Sequence, residues 1–262
     1  MNRADKSFYD RQYSAGSYAK ARTPEEHSSY IDLRRFVDDH DLVNKRCLEI
    51  GAGRGAFQDL VPDYTATDVS DVVRRYFHKP FFQASATQLP FQDDSFHAIW
   101  SVAALEHIPE PEKALSEMRR VLKHKGLIYL APAWQCRPWA AQGYPVRSYK
   151  EFDLKGKLVK ASVFVRDSVA YRSLFIFPQR LLHLASHGLA RKPTTLRYRE
   201  LTPNYEHFWM PDSDAVNSID PFEAILWFCS RGDECPSHPD LLSQFFVRTG
   251  ALIVRICKNQ YK

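Results

Sequence analysis

The 262-residue chain has no Cys-x-x-Cys pair, no apolar run near the roughly 18 to 20 residues that span a bilayer, and no apolar stretch behind its opening Met1-Asn2-Arg3-Ala4-Asp5-Lys6. These absences exclude a zinc ribbon and a disulfide framework, and neither secretion nor a membrane-spanning segment is expected. The five cysteines (Cys47, Cys136, Cys229, Cys235 and Cys257) are an odd set that fits a reducing, cytoplasmic setting. Cys47 and Cys257 sit in apolar, strand-like runs and read as small buried hydrophobes. No internal repeat or low-complexity tract breaks the chain.

What is present is ordinary globular material. With 44% apolar, 26% charged and 13% aromatic residues, the chain can bury a full core as one α/β domain with elaborations or at most two small domains. The net charge of +5 is unevenly spread. Between Arg147 and Arg199 twelve Lys and Arg face only Glu151, Asp153 and Asp167, a local +9 that leaves −4 for the rest. Such segregation suggests a surface that meets an anion, whether a phosphate, a nucleic acid or a lipid head group, with a solvated face as the alternative.

Residues 1 to 45 read as a polar lead-in with Tyr9, Tyr13, Tyr18 and Tyr30, followed by one helix whose apolar positions include Leu33, Phe36 and Val37. A short strand, residues 46–50, then runs into Gly51-Ala52-Gly53-Arg54-Gly55, and Phe57, Leu60 and Val61 suggest a helix behind the turn. Further strands are expected at residues 64–69, 98–102 and 127–131. A core-facing helix is expected from Pro111 to Lys123, with Pro111 in its first turn. This alternation implies a parallel sheet with helices on both faces and a ligand at the carboxyl ends of the strands. Residues 134–210 interrupt the rhythm and read as an insertion on that edge, while residues 211–262 add a helix near 220–230 and a closing strand near 252–257.

Three glycines directly after a strand let backbone N–H groups approach a ligand closely. Gly51-x-Gly53-x-x-Ala56 also satisfies a relaxed dinucleotide fingerprint, so a nicotinamide oxidoreductase has to be weighed. Glu49 favours another cofactor, because a carboxylate beside the turn repels a pyrophosphate and suits the cationic amino group of S-adenosylmethionine. Asp68, at the end of the second strand, is placed to take both ribose hydroxyls of an adenosine.

Together these residues resemble the class I methyltransferases that use S-adenosylmethionine (SAM), in the type 11 domain group. Leu48-Glu49-Ile50-Gly51-Ala52-Gly53-Arg54-Gly55 is similar to the family's first motif, Asp68 to its ribose carboxylate, and Leu89-Pro90-Phe91-Gln92-Asp93-Asp94-Ser95-Phe96 to its adenine-side segment. Leu105-Glu106-His107-Ile108 and residues 115–122 match the next strand-to-helix passage. The likeness covers residues 46–133, about one third of the chain. It implies a Rossmann-like, mostly parallel, seven-stranded sheet, with SAM as cofactor and S-adenosylhomocysteine as product. The implied cofactor residues are Glu49, Gly51, Ala52, Gly53, Gly55, Asp68, Val69, Ser85, Ala86 and Ser101. Three positions depart from the pattern: Ser85 replaces an acidic residue at the adenine edge, His97 an aspartate, and His124-Lys125-Gly126 a Pro-Gly-Gly turn. A serine accepts a hydrogen bond from the adenine amino group more weakly than a carboxylate does.

Methyl transfer from a sulfonium is an in-line displacement, and a base is required only for a hydroxyl or protonated nitrogen acceptor. His107 and Glu106, beyond the strand near Ala104, are candidates, and His207 in the insertion is a rival. His183 and His187 share a helix face but read as surface histidines rather than metal ligands. The segment from Leu174 to Leu184 is amphipathic around Pro178. It reads as core, with peripheral contact beside anionic lipid as the other reading. The division expected is a lead-in or lid (1–45), a SAM-binding core (46–133), an acceptor-binding insertion (134–210) and a C-terminal part completing the sheet (211–262). The expected function is methylation of a small-molecule or glycan-type acceptor that is anionic, a phosphate carrier included. RNA or protein methylation, without a recognisable nucleic-acid module, and a non-catalytic binding module are the alternatives.

Overall fold

The computed structural model describes residues 3–15, 24–190 and 192–258. Tyr18 and Arg191 lie outside them. The apolar runs become β1 (Cys47–Ile50), β2 (Tyr64–Asp68), β3 (Phe81–Gln83), β4 (Phe96–Val102) and β5 (Leu122–Ala131), all parallel, and β8 (Leu252–Arg255) adds antiparallel to β5. The order is β3-β2-β1-β4-β5-β8. The chain leaves β1 in one direction to build β2 and β3, then returns past it to build β4. The crevice at this reversal, outside the carboxyl ends of β1 and β4, is where an open α/β sheet binds ligands.

Helices cover both faces. On one, α2 (Tyr30–Asp39) buries Leu33, Phe36 and Val37 beside Cys47, Tyr64, Ala66 and Trp100 of the strands. On the other, α3 (Pro111–Val121) and α6 (Pro221–Cys229) pack on Leu48, Ile50, Ile99 and Ile128. Pro111 sits in the first turn of α3, where its missing N–H costs nothing. Asp220 caps α6 by accepting from Phe222 N at 3.1 Å.

The architecture differs from expectation in four places. Among the described residues the main sheet has six strands, not seven; at the outer edge of β8 pairing is reduced to one bridge, Glu234 with Arg255. No α-helix follows the glycine turn: residues 52–62 form turns, because Gly53 and Gly55 hold φ of +51° and +74°, outside a right-handed helix. The lead-in carries a helix of its own, α1 (Arg3–Ala15). The insertion forms α4 (Leu154–Arg166), α5 (Val169–Ala190) and β6 (Tyr198–Glu200), and β6 pairs with β7 (Asn217–Ile219), tying it to the C-terminal part. A short helix α7 (Leu241–Phe246) completes the described chain. No helix among the described residues is long and apolar enough to cross a membrane.

Candidate active site

A cavity of about 470 Å³ opens at the carboxyl ends of β1, β2 and β4. Gly51, Asp68, Val69, Ser85 and Ala86 line it, and so do Glu106 and His107. Gly51 holds φ +72°, and a Cβ there would come within 2.5 Å of Ala104 Cβ, so the turn can approach β4 only as glycine. Asp68 is buried; its Oδ2 accepts from Gly53 N and its Oδ1 from Ser70 N, each at 2.9 Å. Each oxygen retains a second acceptor site for a ligand hydroxyl. Burial pushes the Asp68 carboxyl up to about 6, with the Ser70 and Gly53 N–H groups opposing the rise. Ser85 faces the cavity with its hydroxyl 2.8 Å from that of Thr87.

Five of the expected cofactor residues do not line the cavity. Ala52, Gly53 and Gly55 shape the turn from behind. Glu49 points away altogether: alternation along β1 sends Ile50 toward the cavity and Glu49 to the opposite face, where Tyr64 donates its hydroxyl to Glu49 Oε2. Burial lifts the Glu49 carboxyl to about 8, opposed by the Tyr64 hydrogen bond. Ser101 is buried and donates to Ile50 O at 3.0 Å, locking β4 to the end of β1. His97, one of the departures, accepts from Arg46 N at 3.3 Å at the far end of β4, a strand-pairing role. The adenine-side segment is held by α3: Leu89 N donates to Glu117 Oε2 at 2.8 Å, while Arg120 binds Glu117, Asp93 and the carbonyls of Leu89 and Phe91.

Sequence reasoning missed the other wall. Tyr9 and Tyr13 of α1 line the cavity, as do Phe208, Pro211, Asp212 and Asp214. The helix is pinned there by Ser70 Oγ donating to Asp10 at 2.5 Å and Arg54 donating to Tyr13 O at 3.3 Å. Burial, and then nearby Asp68, hold the Tyr13 hydroxyl well above its ordinary pKa, so it stays protonated. His107 Nδ1 lies 3.4 Å from Asp214 O and 3.5 Å from Asp214 Oδ2, and His107 Nε2 lies 3.9 Å from Glu106 Oε1. Asp214 offers Nδ1 two acceptors and Glu106 stands farther off at Nε2, an arrangement that orients the ring. Glu106 is buried; Oε1 accepts from Ala133 N at 3.0 Å, and Oε2 has no hydrogen-bond partner among the described residues. Burial raises the carboxyls of Glu106 and Asp212, and His107 counters both. Ala103 and Asp212, both on the wall, hold left-handed φ of 48° and 67°, the kind of backbone strain that clusters at functional sites.

His207 is not in this site. It is exposed and stacks on Trp209 at 5.2 Å in a separate shallow groove with Arg147 and Asn204. The basic segment is not in it either. Among the described residues five carboxylates line the cavity (Asp68, Glu106, Glu110, Asp212 and Asp214) and no Lys or Arg does; of the described residues in 134–210 only Phe208 contributes. The described cations of the insertion thus lie outside the cavity lining. A negative wall suits the sulfonium and amino group of SAM and opposes a dinucleotide pyrophosphate. The residues present therefore fit SAM, with Asp68 placed for the ribose and Ser85 and Ala86 for the adenine edge.

Comparison with known proteins agrees. Residues 48–130 match the family model described as a methyltransferase domain, and this segment is a class I, SAM-dependent methyltransferase domain of the type 11 group. SAM is the methyl donor typical of that family. The ubiquinone/menaquinone biosynthesis C-methyltransferase UbiE of Hahella chejuensis is 36% identical over 95 residues, 36% of each chain. The phthiotriol/phenolphthiotriol dimycocerosates methyltransferase 1 of Mycobacterium ulcerans is 28% identical over 155 residues, 52% of this chain and 57% of its own. Among solved structures, the YcgJ protein of Bacillus subtilis aligns at 28% identity over 39% of this chain and 51% of its own, with a TM-score of 0.34. The chain thus spans between about a third and three fifths of the curated relatives it matches.

Proposed function

We propose that the protein transfers a methyl group from SAM to a small-molecule acceptor bound between His107 and α1. The observation that carries this reading is the cavity at the strand reversal, lined by both Asp68 and His107 and, among the described residues, by no Lys or Arg. SAM supplies an electrophilic methyl group on a positively charged sulfur. Asp68 and the Gly51 turn hold its adenosine end, Tyr9 and Tyr13 exclude water from above, and α1 serves as the lid. His107 Nε2 takes the proton of an acceptor hydroxyl or ammonium, while Asp214, acting through Nδ1, is a positioning residue for the ring. The acidic surroundings favour a neutral or cationic acceptor, in place of the anionic, phosphate-bearing one expected from the charge of the insertion. Support for a small molecule over RNA or protein comes from the cavity of about 470 Å³ and from curated relatives named for ubiquinone/menaquinone biosynthesis and for phthiotriol.

Calorimetric titration of the full chain with SAM, S-adenosylhomocysteine and NAD tests the cofactor. Both sulfur ligands should bind and NAD should not; tighter binding of NAD would overturn the reading. Methyl transfer from labelled SAM, screened over small amines, phenols and phosphorylated sugars, tests the acceptor. A phosphorylated sugar as the preferred substrate would return the acceptor to the anionic class.

A further inference from the structure

Helix α5 is built the wrong way round for a helix facing water. Its polar residues Arg180 and His183 are only 1% and 4% exposed, paired with Asp220 and with Glu223 (His183 Nδ1 to Oε2 2.5 Å). Its apolar residues Leu174 and Leu182 are 72% and 70% exposed, and Leu181 lies beside them, also exposed. Pro178 sits inside the continuous helix, which packs Phe177 and Leu184 inward and leaves Leu174, Leu181 and Leu182 on the outer side. On α4 the same inversion appears: Leu154, Leu158 and Val165 fall on one stripe at i, i+4 and i+11, all exposed, and Phe164 next to them is 87% exposed. The expectation of a core segment holds for Phe177 and Leu184 but not for Leu174, Leu181 and Leu182, and His183 is buried where a surface histidine was expected.

We infer that the α4–α5 hairpin is a docking face for an anionic lipid bilayer, lying on it with the apolar stripes inserted at the head-group boundary. The charge pattern selects this occupant. Neither helix contains an Asp or Glu, whereas α4 carries Lys155, Lys157, Lys160 and Arg166. At about 100° per residue, Lys155 and Lys157 flank the Leu154–Leu158 stripe, one on each side, and both are exposed. Apolar residues in the middle with cations at the rim are the arrangement of a helix seated in an anionic lipid interface. A second copy of the chain would press one basic helix on another, and a nucleic acid would use the cations but leave the leucines and Phe164 in water. The inference does not depend on the methyltransferase reading.

Flotation of the full chain with vesicles tests it. Vesicles of phosphatidylcholine containing about one third phosphatidylglycerol should carry the protein at low salt, and vesicles of phosphatidylcholine alone should not. Lys155→Ala with Lys157→Ala should weaken binding about 25-fold, at roughly fivefold for each cation near the surface. Phe164→Ser with Leu181→Ser should abolish flotation while SAM affinity and the circular dichroism spectrum stay unchanged. The proposal is overturned if the wild type fails to float with anionic vesicles, or if the Phe164/Leu181 variant floats as well as wild type. It is also overturned if sedimentation equilibrium reveals a dimer that this variant dissociates, since a second copy then owns the face.

Discussion

The cavity and the α4–α5 hairpin are opposites in charge and in the depth at which they keep it. Among the described residues the cavity gathers five carboxylates, several of them buried, and no Lys or Arg; the hairpin carries its lysines at the surface and, in its two helices, no carboxylate at all. A net charge of +5 averages over both and describes neither. Coulomb interactions with a bound ligand depend on distance and screening, so a carboxylate on the cavity wall outweighs a more distant lysine cluster. Charge counted along the chain therefore does not describe the wall that a ligand in the cavity would meet.

The largest effect that would sharpen this contrast lies at His107. His107→Gln should cut turnover by about 100-fold or more, with SAM affinity unchanged by calorimetry, because general-base removal acts on the chemical step. Asp214→Asn should lower turnover less and shift its pH profile, as expected of a group that orients the imidazole. An unchanged rate in both variants would leave the acidic wall without a catalytic role.

Asp68→Ala comes next. Losing charge-assisted hydrogen bonds worth ~1.5–3 kcal/mol should weaken SAM binding roughly 10- to 150-fold. Wild-type affinity should also be level above pH 7 and fall below about 6, where Asp68 takes a proton and ceases to be a full acceptor. Titration across pH 5 to 8 reads both.

Glu49 offers a smaller effect, on stability. Its carboxyl is raised to about 8 in the folded protein, above the ordinary carboxylate value, so its contribution is fully present at acid pH and is lost as pH rises toward 8. Glu49→Gln keeps an acceptor for Tyr64 and removes that loss. Melting temperature should match wild type near pH 4.5 and exceed it at pH 8 by about 3–6 °C, for ~1–2 kcal/mol. Equal melting curves at pH 8 would show that Glu49 is ionised in the fold.

The smallest effect separates the two regions directly. Arg197→Ala with Arg199→Ala should leave the KM of the acceptor within about twofold, and added salt should do little to it, because neither exposed arginine lines the cavity. A KM that climbs steeply with salt would bring the basic segment back into acceptor binding.

Much of the cofactor end was legible because its residues are close in sequence to the strands that carry them. Gly51 follows β1, Asp68 ends β2 and Ser85 follows β3, and a parallel sheet brings such positions to one edge. Glu49 was misplaced by one residue of alternation, which a strand buried on both faces does not display in its sequence. The acceptor end was less legible: Asp214 meets His107 across a separation of 107 residues, and nothing in the spacing around Asp212-Ser213-Asp214 announces it. Tyr9 and Tyr13 were visible as a tyrosine-rich lead-in, but not as a helix laid over the glycine turn.

The sequence by itself determined the alternating strands and helices, the glycine turn and the place of Asp68 at the end of β2, since hydrophobic period and left-handed glycine conformations are local properties. Only the tertiary structure decided which side of β1 faces the ligand, that α1 and the Asp212–Asp214 segment close the far wall, and that the cations of residues 147–199 stand away from it. It also buried Arg180 of α5 against Asp220 and left Leu174, Leu181 and Leu182 exposed. Those outcomes depend on which surfaces meet when distant segments pack, and a linear pattern of charge and hydropathy carries no direction in space.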